Sequence, residues 1–239
     1  MVTAPSFTLD KPYPGEPVPE DLNTFIGLHD WLHPTEIIRK AIEYIFSFNP
    51  GEMVADWVGG DWKAVSEAGV ALEQMNEYVG RFGYEINQVR IDMMDDWEGH
   101  AASAADKYFE LLALQIDEVS SHLHVASQQY HFLAGGILAL AEEASNGVHE
   151  IEDKLIAMGV KAIAAAALSE TVVGSLIFGA WAASDAKKCV DRWLKVYERY
   201  ETTITVVHTS IGALETLLGS FPSTGEMVLP AGYDHPGVP

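Results

Sequence analysis

The sequence predicts an all-α protein, in which an antiparallel helical hairpin is extended by further long helices into an elongated helical bundle. The first observation behind this prediction is the distribution of proline. All 11 prolines lie before Gly51 or after Phe221, and because proline fits only the first turn of a helix, such a gap is typical of long helices. The second observation is that three stretches carry apolar residues at alternating steps of three and four, the heptad pattern of a coiled coil. No stretch shows the convincing alternation of a β-strand.

Changes in composition divide the chain into five parts. Residues 1–33 are rich in proline and are predicted to form an extended N-terminal arm, and residues 34–50 are predicted to form a short helix. Residues 51–155 contain the predicted hairpin. Residues 156–221 supply C-terminal helices that we expect to pack on it, and residues 222–239 form a tail that is expected to be flexible.

The first long helix is predicted from about Trp62 to Met94. Its heptad seam consists of Val65, Ala68, Leu72, Met75, Val79, Phe82, Ile86, Val89 and Met93. Glycines inside the helix cost roughly 1 kcal/mol each relative to alanine, and such residues often permit a close neighbour. We therefore expect another helix to cross near Gly80 and Gly83.

The second long helix is predicted from about His100 to Ser145, with Asn146-Gly147 as its C-terminal cap. Its seam consists of Ala102, Ala105, Phe109, Leu112, Ile116, Val119, Leu123, Ala126, Tyr130, Leu133, Ile137, Leu140 and Ala144. Between the two helices, Gly99 can adopt a positive φ without steric cost. Trp97 is expected to be a large anchor where the two helices meet.

Three more helices are predicted after Gly147. One runs from Val148 to about Leu168, a short apolar helix reaches Ala183, and the last helix runs from about Asp185 to Phe221. The seam of the last helix consists of Val190, Trp193, Tyr197, Tyr200, Ile204, Val207, Ile211, Leu214, Leu218 and Phe221. Residues 162–183 are interpreted as a helix buried on all sides, and the alternative is a membrane-active hairpin.

Composition excludes several classes of function. Thirty-five Asp and Glu against 14 Lys and Arg give a net charge of -21, which disfavours nucleic acid and anionic membranes and is compatible with a basic partner. The single cysteine, Cys189, is interpreted as an apolar packing residue. The nine histidines lack the spacing of a metal site, and no nucleophile elbow, phosphate loop or catalytic pair is present. We therefore expect no enzymatic activity, no metal and no cofactor.

Two short patterns resemble a known family. Trp97-Glu98-Gly99, followed by Ala101-Ala102 and Ala105, is similar to the turn of the W-x-G family of type VII (ESX) secretion substrates. The longer actinobacterial members of that family serve as N-terminal trafficking modules of secreted toxins, which the downstream helices also resemble. Trp57-Val58-Gly59 matches the same pattern, and the element ending in Trp62 is similar to one in the longer members.

The resemblance also implies a second export element, a tyrosine followed four residues later by an acidic residue. Among the nine tyrosines only Tyr197 fits, with Glu201. The alternative interpretation of Tyr197 is core packing, since it lies on the seam of the last helix. In the family the two elements form a composite signal read by the secretion ATPase.

The sequence therefore favours a non-enzymatic substrate or trafficking module of a type VII system that acts by protein recognition. The candidate recognition residues are Trp97, Gly99, Tyr197 and Glu201, with Trp57, Gly59 and Trp62 as secondary candidates. The partners implied by the resemblance are the secretion ATPase or a secretion chaperone, and a helical-hairpin partner or self-association is an open possibility.

Location and alternatives follow from the same residues. The first residues lack the basic and apolar regions of a secretory signal, so we expect export without a cleaved Sec signal, with a cytoplasmic location as the alternative. The alternative functions are a membrane-active or pore-forming helical protein that uses residues 162–183 and a cytoplasmic helical scaffold.

Overall fold

The computed structural model describes residues 18–32, 34, 36–167 and 172–220. Within these residues the chain is all-α, as predicted, and no strand is present. The helices are α1 (Leu22–Ile26), α2 (His29–Leu32), α3 (Glu36–Phe46), α4 (Pro50–Val58), α5 (Trp62–Asp96), α6 (His100–Ala167) and α7 (Val172–Ser220). The predicted tail, residues 222–239, and the first 17 residues of the predicted arm lie outside the described part of the chain.

The prediction of an extended arm over residues 1–33 is wrong for its last part, which contains α1 and α2. Asp21 caps α1, because its side chain accepts hydrogen bonds from the amides of Asn23 (3.0 Å) and Thr24 (3.3 Å). Hydrogen bonds from the Thr24 hydroxyl, the Thr24 amide and the Asn23 amide hold the pKa of Asp21 below its ordinary value. Gly27, with φ of 77°, ends the helix. With these caps, residues 22–26 can form a helix, because the prolines of the arm all precede Asp21 and none interrupts the segment.

α4 begins at Pro50, the last residue of the predicted short helix. Asn49 caps this helix by accepting a hydrogen bond from the Gly51 amide at 2.9 Å, and Pro50 occupies the first turn. Gly51 packs so closely on Trp31 that a Cβ at this position would overlap the tryptophan. Trp57 lies in the last turn of α4, which ends at Val58.

The described residues belong to two compact units. The hairpin unit contains residues 64–132 and 209–220, and the aromatic unit contains residues 18–63 and 133–208. α6 and α7 each contribute one part to each unit.

The hairpin unit contains the predicted antiparallel hairpin of α5 and α6. Contacts between the two helices pair residues at equal distances from Glu98, as an antiparallel pair requires. They include Ser120 Oγ to the Asn76 carbonyl (3.1 Å), Ser127 Oγ to the Gly69 carbonyl (2.8 Å) and Arg90 Nη1 to Asp106 Oδ1 (2.6 Å). Gly99 forms the turn with φ of 100°, which confirms the conformation expected of it.

The face of α5 that packs on α6 is not the predicted heptad seam. None of the nine seam residues of α5 is buried, whereas Ser66, Gly69 and Gly83 are buried. A Cβ at Gly80 would lie 2.9 Å from Ser120 Oγ, and a Cβ at Gly83 would lie 3.0 Å from an Ile116 methyl carbon. The expected crossing near these two glycines is confirmed. Small residues make the closest contact, whereas three seam residues (Met75, Phe82 and Val89) are exposed and the other six are half-buried.

In the aromatic unit, α6 continues through Asn146-Gly147, where the sequence predicted a helix end. Gly147 is buried and does not take a positive φ, and it lies so close to Val196 of α7 that a Cβ would overlap the valine side chain. The buried stripe of α6 also continues beyond Ala144. It consists there of Val148, Ile151, Leu155 and Met158. Gly147 therefore permits a close contact between α6 and α7 and does not end α6. The buried stripe of α6 runs through it, from Ala144 to Val148, and this continuous burial favours helix.

α7 joins the predicted apolar helix and the predicted last helix into one. Among the α7 side chains that the structure describes, from residue 183 onward, the buried ones are Cys189, Trp193, Val196, Thr203 and Ser210. Cys189 is fully buried, which confirms its expected packing role, and burial raises the pKa of its thiol. Among the described residues, no helix has the length and apolar character needed to cross a membrane. The side chains at positions 159–182, which include most of the apolar segment 162–183, lie outside the described set.

The contact at Gly147 predicts opposite effects for the same substitution at two glycines of α6. Gly147→Ala should lower the free energy of unfolding by about 1–3 kcal/mol, because the new methyl group overlaps the stiff Val196 side chain. At Gly135 a new Cβ would meet no neighbouring group within 4 Å, so Gly135→Ala should raise the free energy of unfolding by up to about 1 kcal/mol. Urea denaturation followed by circular dichroism measures both, and an equal gain at both positions would contradict the packing described here.

Candidate recognition site

Four aromatic side chains of the aromatic unit form a stack between α4 and α7. The ring of Trp57 lies 4.0 Å from that of Tyr200, centroid to centroid, with an interplanar angle of 15°. It lies 5.5 Å from Trp193 at 21° and 6.0 Å from Tyr197 at 59°. Such stacked and tilted pairs each add roughly 0.5–1.5 kcal/mol beyond area burial, so the stack holds α4 against α7.

Helix periodicity explains the α7 half of this stack. Trp193, Tyr197 and Tyr200 follow one another at steps of four and three, which places them on one face of α7. Phe46 and Phe48 extend the cluster, with ring centroids 6.3 Å and 5.8 Å from Trp193.

The α4 half depends on the turn between α4 and α5. Gly60 has φ of 140°, and the indole of Trp62 lies next to it. Trp62 Nε1 donates a hydrogen bond to the Val58 carbonyl at 3.0 Å, which satisfies a carbonyl at the end of α4. The three secondary candidates, Trp57, Gly59 and Trp62, thus belong to one turn.

The structure brings Tyr197 together with Trp57. Tyr197 is 38% exposed, so it is neither a fully buried core residue nor a free one. Glu201 lies one helical turn further along α7 and is exposed. Tyr197 therefore contacts Trp57 and has Glu201 one turn away on α7, and we call these three residues the patch.

Trp97 lies elsewhere, between the last residue of α5 and Gly99 at the hairpin turn. It is 41% exposed, and no ring contact of Trp97 is found among the described residues. Trp97 is thus not a fully buried anchor between the two helices. The turn is shaped by the positive φ of Gly99, and the Gly99 carbonyl accepts hydrogen bonds from the Ser103 amide (3.0 Å) and the Ser103 hydroxyl (3.3 Å).

The pairing of Trp57 with Tyr197 could not be found from the sequence. The Trp57-Val58-Gly59 pattern is visible, but the contact joins helices far apart in the chain, and heptad spacing does not specify which aromatic residue meets which.

Glu201 also lines an open groove of about 840 Å³ between α6 and α7 in the aromatic unit. Its lining residues are Ala139, Glu142, Glu143, Asn146, Lys195, Glu198, Arg199, Glu201, Thr202 and Thr205. Glu143 is already paired with Arg192, whose Nε also lies 3.2 Å from Glu150 Oε1. The hydroxyls of Thr202 and Thr205 donate to backbone carbonyls one turn earlier in α7.

The patch carries the exposed ring of Tyr197 and the exposed carboxylate of Glu201, and the adjoining groove adds further carboxylates beside the basic Lys195 and Arg199. Within the described part of the chain, no three His, Cys, Asp or Glu side chains come together as metal ligands would.

Comparison with known proteins gives no family: no family model, no curated protein and no solved structure matches this chain. The site therefore has to be interpreted from its own geometry.

Two tryptophan substitutions should differ in their effect on stability. Trp57→Ala removes the centre of the aromatic stack and should lower the free energy of unfolding by about 2–4 kcal/mol. Trp97→Ala removes a side chain that is 41% exposed and makes no ring contact among the described residues, so its effect should be smaller than that of Trp57→Ala. Thermal unfolding of the two variants beside the unchanged chain measures this, and a larger loss for Trp97→Ala would show that the tip tryptophan is a core residue after all.

Proposed function

We propose that this chain is a non-enzymatic substrate or trafficking module of a type VII (ESX) secretion system, and that it acts through recognition by other proteins. The observation that carries the proposal is the contact of Trp57, in a W-x-G turn, with Tyr197, in a tyrosine-x-x-x-glutamate pattern. Two patterns that resemble the halves of one export signal thus lie side by side in a single chain.

This geometry gives a surface that is rigid and that a partner can reach. The stack of Trp57 on Trp193 and Tyr200 fixes the position of the turn. The turn therefore loses little conformational freedom when a partner binds. Tyr197 and Glu201 remain accessible on the same face of α7. In this proposal a secretion ATPase or a secretion chaperone contacts Tyr197 and Glu201, and Trp57 holds Tyr197 in place.

The hairpin turn has a different part in the proposal. Trp97 is 41% exposed at the hairpin tip, so a partner can contact it there. Gly99 gives the turn its shape. We therefore assign the composite signal to Trp57, Gly59, Tyr197 and Glu201, and treat Trp97 and Gly99 as a separate contact that a partner reads at the hairpin tip.

Export without a cleaved Sec signal follows as part of the same proposal. A cytoplasmic helical scaffold is the second candidate function, and the specific observation that favours it is the exposure of Met75, Phe82 and Val89 on the apolar seam of α5. The two functions differ in where the chain accumulates, in the medium or in the cell.

The test is export from the native host with and without its type VII ATPase, measured by immunoblotting of medium and cells. We expect deletion of the ATPase to keep the chain in the cell. In the intact host, Tyr197→Ala and Glu201→Gln should reduce export at least tenfold, as the roughly 1.4 kcal/mol or more held by a direct contact requires. Undiminished export from the deletion strain would refute the proposal.

Glu198→Gln is the matched control for Glu201→Gln, because both glutamates are exposed on α7 and line the same groove. Export should be unchanged in the control. Equal losses in the two variants would mean that overall charge, and not the tyrosine motif, is recognised.

A further inference from the structure

One face of α5 carries an apolar row that the fold leaves exposed. We call it the α5 ridge, and it consists of Met75, Tyr78, Phe82 and Val89. Their side chains are 45%, 38%, 46% and 45% exposed. Met75, Phe82 and Val89 are seven residues apart, so they align along roughly 21 Å of the helix.

Apolar residues at heptad spacing normally face a neighbouring helix, but those of the ridge are exposed. The buried residues of the face that meets α6 are instead small ones, Ser66, Gly69 and Gly83, and the polar Asn76 and Arg90 add hydrogen bonds to α6. Large side chains that lie outward at heptad spacing, while small ones make the internal contact, are typical of a surface that binds a further helix.

The charge pattern along the ridge identifies the kind of helix that fits. Glu85 and Asp92 follow Tyr78 at intervals of seven, so they continue its row along the same face of α5. α5 as a whole carries seven acidic residues against three basic ones. A purely apolar partner would bury these carboxylates without a counter-charge, which is costly.

A second copy of this chain fits the ridge poorly for the same reason. It would bring another net charge of -21 and place carboxylates near carboxylates. A helix with lysine or arginine opposite Glu85 and Asp92 pairs those charges and covers the apolar side chains in one step.

We propose that the α5 ridge binds a basic amphipathic helix of another protein. Apolar residues of that helix pack against Met75, Phe82 and Val89, and its basic residues pair with Glu85 and Asp92. This interaction surface is independent of the export signal proposed above, because it requires neither Tyr197 nor Glu201.

The test uses two synthetic helical peptides of about four heptads that share leucines at the core positions. One carries lysines at the positions that would meet Glu85 and Asp92, and the other carries glutamates there. Fluorescence anisotropy should show binding of the lysine peptide to the full chain, and raising the salt concentration should weaken it. Phe82→Glu should weaken this binding at least about tenfold.

Two further variants make the test specific. Phe132→Glu changes an exposed aromatic side chain of α6 in the same way and should leave binding unchanged. The double variant Glu85→Lys, Asp92→Lys should lose the lysine peptide and gain the glutamate peptide. Circular dichroism verifies that every variant keeps its helix content.

Three results would overturn the proposal. They are failure of the lysine peptide to bind, equal binding by Phe82→Glu and the unchanged chain, and dimerisation of the free chain in light scattering that Phe82→Glu abolishes. The last result would assign the ridge to a second copy.

Discussion

Close helix contact through small residues is the constraint on which both units depend. A glycine lacks Cβ, so a neighbouring helix can approach its backbone, and a hydroxyl on that neighbour can then reach the exposed carbonyl. In the hairpin unit, Ser127 donates to the Gly69 carbonyl at 2.8 Å. In the aromatic unit, Thr203 of α7 lies over Gly136 of α6 and donates to its carbonyl at 3.3 Å. Each such bond contributes about 1 kcal/mol, and leaving the buried hydroxyl unpaired would cost more than that. The bonds therefore define which residues face each other.

This constraint has one consequence in each unit. In the hairpin unit it rotates α5 so that small residues face α6 and the α5 ridge faces outward. In the aromatic unit the contact of Gly147 with Val196 helps to fix the face of α7 that meets α6. The neighbouring face then presents Trp193, Tyr197 and Tyr200 to Trp57. The two surfaces that we propose to bind partners, one in each unit, thus result from packing that is decided by residues with small side chains.

Much of the secondary structure was predictable, because it depends on local rules. The absence of proline between Gly51 and Phe221 predicted long helices, and the hairpin turn was correctly placed at Gly99. The Asp21 cap of α1 is also a local signal, but it follows the proline-rich stretch that predicts an extended arm. Gly147 misled the prediction because a glycine that ends a helix and a glycine that admits a neighbour look the same in one sequence.

The candidate site was predictable only in its parts. Heptad spacing identifies an apolar stripe but does not say whether that stripe meets a neighbour inside the chain or lies open, so the rotation of α5 was not foreseen. Tyr197, Glu201 and Trp57 were each found as motif residues, whereas the contact between Trp57 and Tyr197 depends on tertiary packing. Trp97 lies between two long helices with heptad seams, and it is nevertheless 41% exposed.

The orientation of α5 underlies both the packing of the hairpin unit and the exposure of the α5 ridge, and cysteine labelling measures it directly. The buried Cys189 is first replaced by alanine, so that each variant contains one thiol. Phe82→Cys and Ile116→Cys are then treated with a maleimide in the folded state. We expect the thiol at position 82 to react at nearly the rate of a free thiol, and the thiol at the buried position 116 to be protected by at least a hundredfold, as about 2.7 kcal/mol of local opening would give. Protection of position 82 to the same degree as position 116 would contradict this orientation, because it would mean that the apolar seam of α5 is packed inside.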